Sequence, residues 1–168
     1  MRFVGLFLLM IAFVLVGRMF SMRIKERVRT LEKFRLMLRL MQTEIEYVNM
    51  PTYEMLKNAS EREELSDLFF INDCLMLLDN GVAFDESWCK SVQKTKPPEL
   101  ESDDLQLMLS FGKSLGTTDR EGQLSLCGMY EEMVIEKINQ ARVKAKTHAS
   151  LYSKLGIICG VAIVIILI

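Results

Sequence analysis

The 168-residue chain is half hydrophobic, with a formal net charge of −1 and a mean hydropathy of +0.18 beside 26% charged residues. A soluble domain of that charge content is normally less apolar. Here the excess collects at the two ends, since Phe3 to Gly17 and Leu155 to Ile168 hold no charged residue. This distribution excludes a disordered chain and a multi-span transporter core, and it argues against a freely soluble enzyme.

In chain order, the first predicted element is an apolar anchor over residues 1–22. A helix of about 15 residues spans about 22 Å, against about 30 Å of membrane hydrocarbon. The run therefore needs Arg18 to snorkel while Met19, Phe20 and Met22 continue its apolar surface. Arg2 followed by an apolar run also fits a cleaved signal peptide. Against that rival, no small-x-small cleavage site follows, and residues 18–40 carry eight Lys/Arg against Glu26 and Glu32. Positive charge of this kind, with Arg18, Arg23 and Lys25 nearest the run, keeps its flank on the cytoplasmic side.

Beyond the anchor, Ile24, Val28, Leu31, Phe34, Leu38, Met41, Ile45 and Val48 recur at helical spacing. Arg27, Arg35 and Arg39 take other faces, so one long amphipathic helix is predicted. Pro51 cannot continue it and suits the first turn of a short helix through about Ala59. Ser60-Glu61-Arg62-Glu63 reads as a capping box. A helix through Leu65, Leu68, Phe69, Cys74, Leu75 and Leu78 is expected to follow and to end at Asn80-Gly81. A further helix over about Asp85 to Val92 carries Trp88. Thr95 to Ser102, with Pro97-Pro98, is a loop.

Asp103 to Leu115 is predicted helical, closed by Gly116. Thr118-Asp119-Arg120-Glu121 then reads as a second capping box. Because no proline follows, a helix of about 50 residues can run to the chain end. Its core stripe is expected at Leu124, Leu126, Cys127, Tyr130, Met133, Val134, Ile138 and Ala141. Its last part, residues 151–168, forms the second anchor, and Gly156 and Gly160 give a spacing that lets membrane helices approach closely. After Glu136 every charged residue is basic, including Lys144, Lys146 and Lys154. Both inner flanks are thus positive, and two spans with a cytoplasmic middle satisfy both. No alternating run signals a strand. The predicted fold is an all-α bundle of about six helices over residues 23–150, anchored at both ends.

Residues carrying chemistry are scarce. Cys74, Cys89, Cys127 and Cys159 lack ligand-like or paired spacing and read as small core hydrophobes. The one histidine, His148, falls in a basic stretch and reads as a solvated or headgroup-facing side chain. There is no phosphate-binding glycine loop, no nucleophile elbow and no zinc motif, so neither enzymatic activity nor a cofactor is expected. Basic residues 18–39 lack the aromatic interleaving of nucleic-acid modules and read as topology and lipid-headgroup signals. Residues 41–104 hold fifteen acids against five bases. Glu61, Glu63, Glu64 and Asp67 are the candidate docking face for a basic partner. The methionines, among them Met37, Met41, Met50, Met55, Met76, Met108, Met129 and Met133, fit core filling. An adaptable helix-binding surface is the alternative.

The segment from Phe111 to Gln123, with Phe111, Gly112, Leu115, Gly116, Thr118, Asp119, Arg120, Glu121 and Gln123, resembles the F-G-x-x-L-G-x-[ST]-D-R-E-x-Q element of the stage III sporulation protein AB family. Glu44-Ile45-Glu46-Tyr47 with Pro51, Glu54 and Leu56 resembles that family's E-I-x-Y-x-x-x-P-x-x-E-x-L stretch. Tyr152-Ser153-Lys154-Leu155-Gly156 resembles its exit into the last span. The resemblance covers essentially the whole chain and is loosest over about 60–104. It implies a soluble domain similar to the F-type platform protein of type II secretion. It also implies a scaffold role in the secretion-like complex joining mother cell and forespore, in the mother-cell membrane. The implied partners are the other proteins of that complex, with its secretion-type ATPase, besides membrane lipid. Self-association is left open, and no nucleic acid is implied. A membrane-tethered signalling or regulatory module is the alternative. The element from Phe111 to Gln123 reads either as a structural turn or as a partner contact.

Overall fold

The computed structural model describes residues 2–48, 50–115 and 117–167, with side chains over 22–48, 50–115 and 117–147. Among the described residues there are six α-helices and no strand. They are α1 (Arg2–Val48), α2 (Thr52–Ser60), α3 (Phe70–Asp79), α4 (Phe84–Thr95), α5 (Ser102–Ser114) and α6 (Arg120–Leu167). A single 3-10 turn at Glu63–Leu65 precedes α3. The chain divides into two compact units. One comprises residues 1–28 with 139–168, and the other residues 29–138.

Within the unit of residues 29–138, the apolar period places the core as predicted for α1. Leu31, Phe34, Leu38, Met41 and Ile45 are buried, at intervals of three and four that align one helix face. From α6, Cys127, Tyr130, Val134 and Ile138 are buried. α1 and α6 run antiparallel in this unit. Arg35 Nε meets Glu131 Oε1 at 2.8 Å, and Arg120 Nε meets the carbonyl of Ile45 at 3.0 Å. The shorter helices α3, α4 and α5 pack successively on one another, with α2 against α3.

Helix boundaries follow local chemistry. The Pro51 carbonyl accepts the Met55 N–H at 3.1 Å, so proline stands just outside α2, where its missing N–H costs nothing. At the end of α3, Gly81 takes φ 79°. The Val82 N–H reaches the Leu77 carbonyl and the Gly81 N–H that of Leu78, a Schellman closure. Lys96 closes α4 at φ 26° and is followed by Pro97-Pro98, which stops any continuation. α5 opens with the Glu101 N–H donating to Asp104 Oδ2 at 2.9 Å, and this holds a fully buried carboxylate on the helix start.

Several expectations need correction. Ser60 does not begin a helix: its hydroxyl donates back to the Lys57 carbonyl at 2.7 Å and closes α2. From there the chain descends through i→i+3 turns at Leu65, Ser66, Leu68 and Ile71, so α3 starts nine residues later than the capping-box reading implies, with Phe69 rather than Ser60 at its cap. That shift rotates the core face, burying Phe70 and Ile71 and leaving Phe69 64% exposed. Val48, Met76, Met129 and Met133 are also exposed, whereas Met37, Met41, Met55 and Met108 are core. Arg27, expected off the apolar stripe, is 3% exposed because it lies four residues before Leu31 on the buried side. It has interaction partners, as an always-charged guanidinium requires.

Among the described residues, no helix is long and apolar enough to cross a membrane. The side chains of the expected anchors, residues 1–22 apart from Met22 and residues 151–168, lie outside the described residues. So do those of Arg18, His148, Lys154, Gly156, Cys159 and Gly160.

Candidate functional site

The element from Phe111 to Gln123 sits where α5 hands over to α6. Trp88 of α4 is fully buried at the centre of an aromatic cluster. Phe70 lies 5.0 Å from it and Phe111 5.5 Å, both near edge-to-face, with Phe84 tilted at 5.8 Å. Phe111 joins this group to Phe34 of α1 and Tyr130 of α6, at 5.9 and 5.3 Å. Such pairs add about 0.5–1.5 kcal/mol each beyond area burial. The indole N–H donates to the Met108 carbonyl at 2.8 Å, so the one polar atom of Trp88 is satisfied.

Gly112 allows this arrangement. A Cβ built there would fall inside the indole, against its Cγ, Cδ1 and Nε1 atoms. The glycine of the motif is therefore a seat for Trp88, contributed one residue after Phe111. Leu115 is buried and its N–H closes α5 on the Phe111 carbonyl at 2.9 Å. Gly116, expected to end that helix, lies outside the described residues.

The start of α6 differs by one residue from its predicted capping box. Asp119, not Thr118, caps it: Asp119 Oδ1 accepts the Gly122 N–H at 3.0 Å. The return contact comes from Gln123 Nε2 to the Thr118 carbonyl at 3.1 Å, while Glu121 is exposed. A Cβ at Gly122 would lie 2.7 Å from Thr118 Oγ1, so the turn folds tightly over that position. Arg120 reaches away from its own helix. Its Nε and its terminal nitrogen donate to the Ile45 and Glu46 carbonyls, in the last turn of α1. Both carbonyls belong to the last turn of α1, and a guanidinium at a helix C-terminus meets the favourable end of its dipole. Glu46 thus contributes its backbone to the clasp. Ile45 and Leu56 from the same stretch are core, and Tyr47 and Glu54 are exposed.

Glu61, Glu63, Glu64 and Asp67 are all exposed on the segment between α2 and α3. Asp67 is set apart from the three glutamates. It accepts hydrogen bonds from Lys33 and, at 2.9 Å, from Arg29, and the Lys33 contact holds its carboxyl below the usual range. Of the expected basic flank, Arg23, Lys25, Lys144 and Lys146 are exposed. Burial pushes the Cys74 thiol up to about 12 and the Cys127 thiol up to about 11, leaving both as neutral, apolar side chains near neutral pH. Among the described residues no three His, Cys, Asp or Glu side chains gather as metal ligands.

Sequence reasoning missed the Trp88–Gly112 seat and the reach of Arg120 to α1. Both join residues far apart in sequence and leave no periodic trace. It also misassigned Phe69. The only available signal was the spacing Phe70–Cys74, which competes with Phe69 for the core face.

A family model described as stage III sporulation protein AB matches residues 2–168. A solved structure titled "Stage III sporulation protein AB (SpoIIIAB)" superposes with a TM-score of 0.63 at 20% identity, covering 72% of this chain and 97% of that one. No curated protein sequence gives a significant match.

Proposed function

The chain belongs to the stage III sporulation protein AB family, and we propose on that premise that it is a non-enzymatic scaffold of the mother cell–forespore secretion-like complex. In this reading residues 1–22 and 151–168 are two anchors in the mother-cell membrane facing the forespore, and residues 23–150 form a cytoplasmic bundle. The other stage III sporulation proteins, including the secretion-type ATPase, assemble on that bundle.

One observation carries the reading. The described motif side chains that make contacts are spent on holding the fold: Phe111 and Leu115 in the core, Gly112 under Trp88, Asp119 on the start of α6 and Arg120 on the end of α1. The uncharged ends with basic inner flanks support the two anchors.

The test uses the tagged full-length chain in sporulating cells. It is expected to resist alkaline carbonate extraction and to co-purify with the other stage III proteins. A protein released by carbonate, or one that purifies alone from cells making the whole complex, overturns the reading. A protein that stays in the membrane but associates only with receptors or kinases favours a signalling module instead.

A further inference from the structure

On α3, Phe70, Ile71 and Cys74 face the core, while Phe69, at the cap just before the helix, and Met76 are 64% and 61% exposed. Seven residues apart, they lie about two turns from each other along one helix face. Aromatic residues and methionine are the side chains enriched at the centres of protein interfaces, and an exposed phenylalanine with a repackable methionine two turns along suits a helical visitor.

The charges beside this face say what kind of visitor. Asp67 is engaged by Lys33 and Arg29, and Asp73 by Lys94 at 2.9 Å. Asp79 accepts the Tyr53 hydroxyl at 2.8 Å. The remaining acids of the segment that leads into Phe69 are Glu61, Glu63 and Glu64, all exposed, with Arg62 as the one base among residues 61–64. We propose that Phe69 and Met76 are the apolar anchors of a docking surface, rimmed by these glutamates, for a basic amphipathic segment of another protein. The surface deepens the scaffold reading and rests on it, because it names where one partner sits. A second copy of this chain is disfavoured, since a two-fold contact through this face would bring the two acidic rims together. Anionic lipid is repelled for the same reason.

The experiment places a photoreactive benzoylphenylalanine at position 69 of the full-length chain in sporulating cells, with the same group at exposed Gln106 of α5 as the control. An adduct is expected at position 69, at least tenfold above the control. The captured peptide should carry net positive charge with apolar residues at helical spacing. Combining Glu61→Lys, Glu63→Lys and Glu64→Lys should cut the adduct at least tenfold. The unmodified Phe69→Ala chain should keep its Tm, because the ring is not in the core. The proposal is overturned by an adduct no stronger than the control, by capture of lipid or of a second copy, or by an adduct indifferent to charge reversal. In those cases continued co-purification with the other stage III proteins leaves the scaffold reading standing. Loss of co-purification by the wild-type chain removes that reading itself.

Discussion

A methyl group added at Gly112 has nowhere to go, because the indole of Trp88 already occupies the position of its Cβ. Gly112→Ala is therefore expected to destabilise by about 1–3 kcal/mol or more, the usual cost of overpacking a filled core. In a Trp88→Ala background that extra cost should largely vanish. A double-mutant cycle read by urea unfolding checks this, and additive effects would remove the seat as the glycine's role. The buried thiols give a second expectation. With Cys74 and Cys127 pushed up to about 12 and 11, both should resist alkylation at pH 8 until the protein unfolds. The sign follows from folded values above the unfolded ones. The stability these thiols contribute is complete below the unfolded value of about 9 and is lost as pH rises through the folded ones. At this scale a repeating pattern was readable from sequence and a single contact was not. Leu31, Phe34 and Leu38 announce their burial by spacing, whereas only the four-residue step to Cys74 separates Phe70 from Phe69, and the glycine beside Phe111 acquires its role only when α4 arrives.

The elements repeat this lesson at their ends. Both long helices follow from unbroken helical periodicity without proline, and Pro51, Asn80-Gly81 and Pro97-Pro98 mark real stops. Capping patterns were less reliable, since Ser, Thr and Asp can bond either forward into a helix or backward onto one just ended. Ser60 does the latter, and at α6 the aspartate takes the position expected for its threonine neighbour. Substitutions separate these roles. Asp119→Ala should cost about 1 kcal/mol as a lost cap. Arg120→Ala should cost more, about 1.5–3 kcal/mol, because charged hydrogen bonds to two α1 carbonyls go with it. Thr118→Ala and Glu121→Ala should stay within about 0.5 kcal/mol, as exposed surface changes do. Thermal denaturation of the four variants decides the matter. A large loss at Thr118 or Glu121 would restore the original capping box.

For the whole molecule, composition already told where the apolar ends and the charges lie, and no local pattern could tell which acids pair with which bases. Asp67 was grouped with its neighbouring glutamates on sequence alone, yet α1 takes it through Lys33 and Arg29. Its carboxyl is held low, so the sign is that of a depressed acid. The pair contributes at neutral pH and is lost as pH falls below about 4 through the folded value. The Tm gap between wild type and Asp67→Asn should therefore shrink at acid pH. It should shrink in 1 M salt as well, since the pair is exposed. A gap that ignores both would show that the pair contributes nothing. The contact from Arg120 to Ile45 and Glu46 has a wider consequence. It joins points 75 and 74 residues apart in the chain, so that everything from α2 to α5 becomes an excursion closed at its neck. Closing a loop of that length costs only slowly growing entropy, and a closed loop can open and reclose as a unit. Amide exchange should then register α2 to α5 as one cooperative block, and Arg120→Ala should loosen that block by unfastening its neck.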